Sequence, residues 1–266
     1  MPSTSSWNEN LPLKIVNILT FVFLFGSNTY GSLTPYGTGR DTYFTPEAWV
    51  FYTWTIIDVL LLGYVIYQFF DGSHEVVHGV GWRFPLVGIL NAIFVHVFVT
   101  RHYIVAFIFA ILVASTVSTI YYSLSAHLHA KSAGDALFVH LPFSLWHAWS
   151  IVTVFISGFA LFTHSHKNHP SAISIVLVVA AEAFLTLTAV GYALRSREGD
   201  AAGAAVLFAT LVGIFGHQHN DVIRYCALAG AIVSGVAIAK SLYFTFVARD
   251  RGVSLGSDDE RRPLVA

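Results

Sequence analysis

The chain has 266 residues, of which 55% are hydrophobic and only 11% are charged. A typical soluble domain carries about 25% charged residues, so this composition predicts an integral membrane protein that lies in a lipid bilayer. The formal net charge of −1 gives no indication of nucleic-acid binding. The single cysteine, Cys226, excludes an intrachain disulfide and a cysteine-based zinc site.

Apolar runs separated by short polar segments predict an all-α, polytopic membrane helix bundle of about eight transmembrane helices. The first run is either a retained helix or the core of a signal peptide. Residues 1–12 and 249–266 are polar and are predicted to be disordered. The apolar runs are 13–27, 47–70, 84–100, 103–124, 136–163, 171–194, 201–216 and 222–248.

The second run begins with residues that favour a helix start. Thr45 can cap the helix, Pro46 suits its first turn, and Glu47 places an acid near its N-terminus. Asp58 lies near the middle of the run, four residues after Trp54 and therefore on the same face. Because a carboxylate in hydrocarbon is costly, we expect Asp58 to face other helices or a polar cavity.

An even number of spans places both termini on one side of the membrane. That side carries the larger share of lysine and arginine, which predicts cytoplasmic termini. In the tail, Glu260 followed by Leu264 and Val265 resembles an acidic dileucine sorting signal, which would direct the protein to a vacuolar or endosomal membrane. The alternative is a solvated tail that no sorting protein recognises.

Three short motifs lie within residues 12–164. They are Phe44-Thr45-Pro46-Glu47-Ala48-Trp49-Val50-Phe51 followed by Trp54-Thr55, Leu90-Asn91-Ala92 with Phe94, and Leu141-Pro142-Phe143 with Trp146. In this order they resemble the start of the second helix, a third-helix motif and a fifth-helix motif of the translocator protein / tryptophan-rich sensory protein family. Residues 12–164 as a whole resemble that family.

The resemblance implies a five-helix core over residues 13–164, with three additional transmembrane helices in 165–248, and it favours a retained first helix. It also implies a cavity, covered by the loop between the first two helices, that binds tetrapyrroles or sterols. A porphyrin or haem is therefore one candidate ligand. By motif position, the residues that line or border this cavity would be Trp49, Trp54, Asn91 and Trp146.

The spacing of residues on the fifth helix is compatible with such a cavity. Trp146 and Trp149 fall on one face together with Pro142 and Thr153, by steps of three and four residues. With Trp54, these tryptophans could offer flat aromatic surfaces to a planar ligand. The alternative is that the tryptophans pack the core or anchor the helices at the membrane interface.

Three ionisable residues lie deep in the predicted spans. Asp58, Glu182 and Lys240 are candidates for a proton or substrate relay, and Lys240 could pair with either acid. The alternative is a purely structural polar contact. Such residues also support a second hypothesis for function, a proton- or metal-coupled secondary transporter.

Histidines cluster in two loops that the topology places on the side away from the termini. They could bind a divalent transition metal, or they could be solvated loop residues. His74-Glu75-Val76-Val77-His78 matches a zinc-protease pattern, but no third ligand stands out, so we do not expect an enzyme. The candidate metal ligands are His164, His166, His169, His217 and His219.

The sequence therefore predicts a non-enzymatic membrane protein that binds, senses or transports a small hydrophobic or planar ligand. A strip of small residues on the last helix allows close approach of another helix. That helix belongs either to the same chain or to a second copy in a homo-oligomer. The strip consists of Ala227, Ala231, Gly235 and Ala239.

Overall fold

The computed structural model describes residues 10–33, 40–70, 74–128, 130–162, 170–195 and 199–244, with the backbone alone for 74–76. These residues form nine helices. Six are long and apolar enough to cross a membrane, and two further apolar helices have 17 residues each. The prediction of an all-α polytopic membrane bundle with about eight spans is confirmed.

The helices follow the predicted runs closely, with two differences. A short helix, α3, lies where the sequence predicts a loop, and α1 extends beyond Ser27 because its last turns bury polar and small residues rather than apolar ones. The helices are α1 (Leu11–Leu33), α2 (Ala48–Tyr67), α3 (His74–Val80), α4 (Arg83–Val99), α5 (Tyr103–His127), α6 (Ala133–Phe162), α7 (Ala172–Leu194), α8 (Ala201–His217) and α9 (Asp221–Tyr243).

The predicted N-cap of α2 is wrong by two residues, since Glu47 rather than Thr45 precedes the first helical residue. Thr45 does not cap the helix, because its hydroxyl oxygen accepts a hydrogen bond from the Thr42 N–H at 2.9 Å. The helix begins at Ala48 with a 3₁₀ turn. The Thr45 carbonyl and the Glu47 N–H are hydrogen-bonded to the end of α8, and these bonds hold both residues outside the helix.

Helix α6 contains a wide turn near its start. Ser132 caps the helix in a reciprocal arrangement with Asp135, and residues 136–140 then form a π-type turn. Pro142 follows, and it lacks the N–H that a regular helix would direct at residue 138. The widened turn lets the helix continue through the proline without a break.

Five helices form a ring in the order α1, α2, α6, α5 and α4, and α4 closes the ring against α1. The last three helices form a second group, in which α7 and α9 pack on α8 and on each other. Helix α8 makes the main contact with the ring, through α6 and the first turn of α2. The predicted boundary between the two groups, at residues 164 and 165, lies outside the described residues and stays a prediction.

One carboxylate fixes α8 to the ring at the end nearest the chain termini. Asp200 caps α8 by accepting a hydrogen bond from the Gly203 N–H at 3.0 Å. The same carboxylate accepts hydrogen bonds from the Ser144 hydroxyl at 2.6 and 2.7 Å and from the Tyr121 hydroxyl at 2.8 Å. A single acid therefore joins α8 to α5 and α6.

The small-residue strip on α9 is used partly inside the chain. Ala227 and Ala231 are buried, whereas Ala239 is exposed. Gly230, beside the strip, lies so close to α7 that an added Cβ would come within 2.3 Å of the Thr186 hydroxyl oxygen. Intrachain packing therefore accounts for the first half of the strip, and a homo-oligomer stays a prediction.

We predict that Gly63→Ala destabilises the protein and that Gly26→Ala does not. A Cβ on Gly63 would lie 2.2 Å from the Phe138 ring, whereas a Cβ on Gly26 would meet nothing within 4 Å. Overpacking typically costs about 1–3 kcal/mol, which exceeds the gain in helix propensity. The measurement is the thermal unfolding midpoint in detergent; equal midpoints for the two variants would contradict this packing of α2 on α6.

Candidate functional site

A cavity of about 260 Å³ lies between α1, α2, α4 and α6, in the half of the bundle away from the termini. Its wall is mainly apolar, and aromatic side chains from three helices dominate it. The aromatic residues of the wall are Phe51, Tyr52, Trp54, Phe94, Phe98 and Trp149. This composition suits a flat, largely apolar ligand.

The 3₁₀ turn at the start of α2 decides which residues face the cavity. It places Ala48, Phe51 and Tyr52 in the wall, but it turns Trp49 outward, where 45% of that residue is exposed. The expectation that Trp49 lines the cavity is therefore wrong. That expectation came from the position of Trp49 in the family motif, which does not show how the start of α2 is oriented.

The remaining predicted tryptophans lie at two depths. Trp54 and Trp149 line the cavity, and Trp146 lies fully buried behind Trp54, with the ring centroids 5.8 Å apart in an edge-to-face arrangement. Phe51 contacts Trp149 in the same way at 5.6 Å. The indole N–H groups of Trp146 and Trp149 are buried and have no hydrogen-bond acceptor among the described residues. A buried donor without an acceptor is costly. Of these two residues, only Trp149 belongs to the cavity wall, so only its N–H is a candidate partner for a ligand.

A buried chain of polar side chains forms one edge of the cavity. Asn28, which lines the cavity, accepts a hydrogen bond from the Asn91 side chain at 3.1 Å and donates one to Asp58 at 3.0 Å. Asp58 is 6% exposed and faces α1, as the cost of a carboxylate in hydrocarbon led us to expect. Asn91 supports the site through Asn28 and is not itself part of the wall.

The predicted ion pairs of Lys240 are wrong. Asp58 is bonded to Asn28 in the ring, whereas Lys240 is exposed on α9, which packs mainly on α7 and α8. Glu182 of α7 lies beside Cys226 of α9. On α9, Cys226 precedes Lys240 by fourteen residues. At ~1.5 Å per residue, this places Lys240 about 20 Å further along α9. The expectation failed because depth in a span was inferred from sequence position alone.

Glu182 is an isolated acid within the last three helices. Its side chain is 1% exposed, and neither carboxyl oxygen has a hydrogen-bond partner among the described residues. An ionised carboxylate in such a place is strongly disfavoured. Glu182 therefore belongs to a different environment from Asp58, and it does not border the aromatic cavity.

The predicted metal site can be described only in part. His164, His166 and His169 lie outside the described residues, and so do the side chains of His74 and Glu75. His217 lies 3.1 Å from Asp41, and His219 is exposed. Within the described part of the chain, no three His, Cys, Asp or Glu side chains are grouped as a metal site requires. The metal site stays a prediction.

Sequence reasoning missed the contribution of α1 to the cavity. Asn28, Gly31 and Ser32 line it, but they follow the point where the hydropathy falls, so the predicted helix ended at Ser27. The signal that could have found them is the three- and four-residue spacing of Asn17, Phe21, Leu24, Asn28 and Gly31, all of which are buried.

The family of the chain follows from a comparison with known proteins. A model of the TSPO-like protein family matches residues 11–240. The chain belongs to the TSPO-like protein family. The match extends from α1 into α9, so it includes the last three helices, for which the sequence motifs gave no resemblance. No curated protein and no solved structure matches the chain.

Membership of the TSPO-like family agrees with the resemblance seen in the motifs of α2, α4 and α6. The family and the membrane helix bundle together support a membrane protein that binds or transports a ligand. Within this family member, the aromatic cavity with its polar edge is the candidate site.

We predict that Asn28 and Asp58 are energetically coupled and that Lys240 and Asp58 are not. Asn28→Leu leaves both Asp58 and Asn91 without their partner, at about 1–3 kcal/mol for each buried group. The double variant Asn28→Leu/Asp58→Leu should therefore lose less free energy of unfolding than the two single variants lose together. Chemical unfolding of the four proteins measures this coupling. The matched cycle with Lys240→Leu and Asp58→Leu should be additive. Additivity in the first cycle would show that the hydrogen bond between Asn28 and Asp58 does not stabilise the protein.

We predict that Glu182→Leu raises the thermal unfolding midpoint at neutral pH. The change replaces a buried acid, which has no hydrogen-bond partner in the described part of the chain, with an apolar side chain of similar size. Removing one member of a buried ion pair would instead lower the midpoint markedly. A lower midpoint in Glu182→Leu would show that the acid has a partner in the folded protein.

Proposed function

We propose that this protein is a non-enzymatic membrane protein that binds, senses or transports a small, flat, mostly apolar ligand in the cavity between α1, α2, α4 and α6. One observation carries the proposal: an aromatic wall meets a buried polar edge in a single cavity. Aromatic side chains suit the faces of a planar ring system, and the polar edge fixes its orientation.

The chemistry of the cavity limits the ligand further. The Trp149 N–H has no acceptor in the described part of the chain, so the ligand should carry a carbonyl, hydroxyl or ring nitrogen that can accept a hydrogen bond. Sites for drug-sized ligands measure roughly 300–1,000 Å³, so a cavity of about 260 Å³ suits a compact ring system. A sterol-like or tetrapyrrole-like ligand would require the first turn of α2 or its neighbours to move outward.

A second candidate function is proton-coupled secondary transport. The observation that favours it is Glu182, a fully buried acid in the middle of α7 whose carboxyl oxygens have no hydrogen-bond partner among the residues that the structure describes. Acids of this kind in membrane spans mark proton pathways in pumps and transporters. A metal-coupled form would use the histidines His164, His166, His169, His217 and His219.

We further propose that both termini are cytoplasmic and that the protein lies in a vacuolar or endosomal membrane. The share of lysine and arginine supports the orientation. The sorting signal that supports the location lies in the tail, outside the described residues. Comparing the distribution of the N-terminally tagged wild type with that of Leu264→Ala/Val265→Ala tests the location.

We predict that a planar ligand quenches tryptophan fluorescence, and that Trp149→Phe weakens its binding roughly 5- to 30-fold because one buried hydrogen bond is lost. The measurement is a titration of protein in lipid nanodiscs with protoporphyrin IX, haem and 2-naphthol. Trp49→Phe is the matched control, since it makes the same change at an exposed position. If none of the three probes binds, or if both variants bind like the wild type, the assignment of this cavity fails.

A further inference from the structure

We infer that α8, which lies outside the five-helix ring, controls access to the cavity by holding the segment that leads into its wall. This segment, residues 40–47, is called the rim segment below. The identity of the molecule that enters the cavity depends on the proposed function, whereas the attachment of the rim segment to α8 does not. Gly213 and Gln218 are positioning residues in this scheme.

Three hydrogen bonds join the rim segment to α8. The Glu47 N–H donates to the Gly213 carbonyl at 3.0 Å. The Gln218 side-chain amide donates to the carbonyls of Thr42 and Thr45 at 3.1 and 2.8 Å. Gln218 is only 2% exposed, so these bonds are shielded from competing solvent.

The approach of the two segments depends on a glycine. A Cβ on Gly213 would lie 2.3 Å from Val50 and 3.0 Å from Pro46, so a larger residue would force the first turn of α2 away from α8. The neighbouring contact between His217 and Asp41, at 3.1 Å, lies at the same end of α8. The rim segment is therefore held by backbone and side-chain groups together.

Movement of the rim segment would move the wall of the cavity. Ala48, Phe51 and Tyr52 follow it directly and line the cavity. Within the rim segment, Phe44 is fully buried and packs on Phe155 and Phe159 of α6, with centroid distances of 5.7 and 5.0 Å. The cavity wall on α2 thus has two supports, α6 and α8.

Helix α8 can act as a support because its other end is also fixed. Asp200 joins the start of α8 to Ser144 and Tyr121 of the ring, as described above. The helix therefore connects the ring near the termini with the rim segment on the opposite side. A change in the packing of α7, α8 and α9 would reach the cavity through this connection.

The test measures access to the cavity without any ligand. Thr153→Cys places a thiol in the cavity wall, and Cys226→Ala removes the native thiol. In this background, Gln218→Glu keeps the shape of the side chain but replaces the amide donor with a carboxylate that faces two carbonyls. We expect maleimide to label the cavity thiol about 5- to 30-fold faster, because the two hydrogen bonds that hold the rim segment are lost.

Ser144→Ala is the matched control. It removes the hydrogen bonds between α6 and α8 at the far end, but the Tyr121 hydroxyl still bonds to Asp200, so that end of α8 stays attached and the rim segment is untouched. We expect this variant to lower the unfolding midpoint without changing the labelling rate. Equal labelling rates in the parent and in Gln218→Glu would overturn the inference, and so would an equal increase in Gln218→Glu and Ser144→Ala.

A second pair of variants decides the question if Gln218→Glu does not fold. Gly213→Ala should raise the labelling rate by displacing Val50, whereas Gly191→Ala adds a Cβ that meets nothing within 4 Å. No difference between the two alanine variants would overturn the inference. Failure of all probes to bind would reject the proposed function alone, since labelling reports on the rim segment whether or not a ligand exists.

Discussion

A carboxyl group inside a membrane span must find hydrogen-bond donors or stay neutral, and this constraint shapes the ring of five helices. Asp58 meets it through Asn28, and Asn28 in turn accepts a hydrogen bond from Asn91. Three helices are thereby fixed in register at one level. The aromatic cavity lies directly beside this level, so its polar edge follows from the same interaction that aligns the helices.

The last three helices meet the constraint differently. Glu182 has no donor among the described residues, and its surroundings are the packed faces of α7, α8 and α9. The last three helices are attached to the ring at the two ends of α8, where Asp200 and Gln218 each form hydrogen bonds with more than one partner. Close glycine contacts supplement these bonds. The family model covers both helix groups.

The sequence was sufficient for the class of fold because membrane spans depend mainly on hydropathy. It also indicated two residues that lie in the cavity wall, Trp54 by its position in a family motif and Trp149 by helical spacing. It was insufficient where a local deviation changed the direction of a side chain. The 3₁₀ turn at Ala48 turned Trp49 outward, and this turn results from bonds to α8, which is more than 150 residues away in the chain. The separation of Lys240 from Asp58 and Glu182 likewise depends on which helices are neighbours, and spacing along the chain does not contain that information.

The wide turn in α6 makes the cavity depend on the number of residues as well as their type. A π-type turn corresponds to one residue inserted into an α-helix, and each residue rotates a helix by about 100°. The turn at residues 136–140 therefore sets the angular position of everything that follows it in α6. Without the inserted residue, Trp146 and Trp149 would point in a direction different by about a quarter of a turn, and the aromatic wall would lose its α6 side. A related chain that lacks one residue before the position of Pro142 would therefore have different residues of this helix facing the cavity.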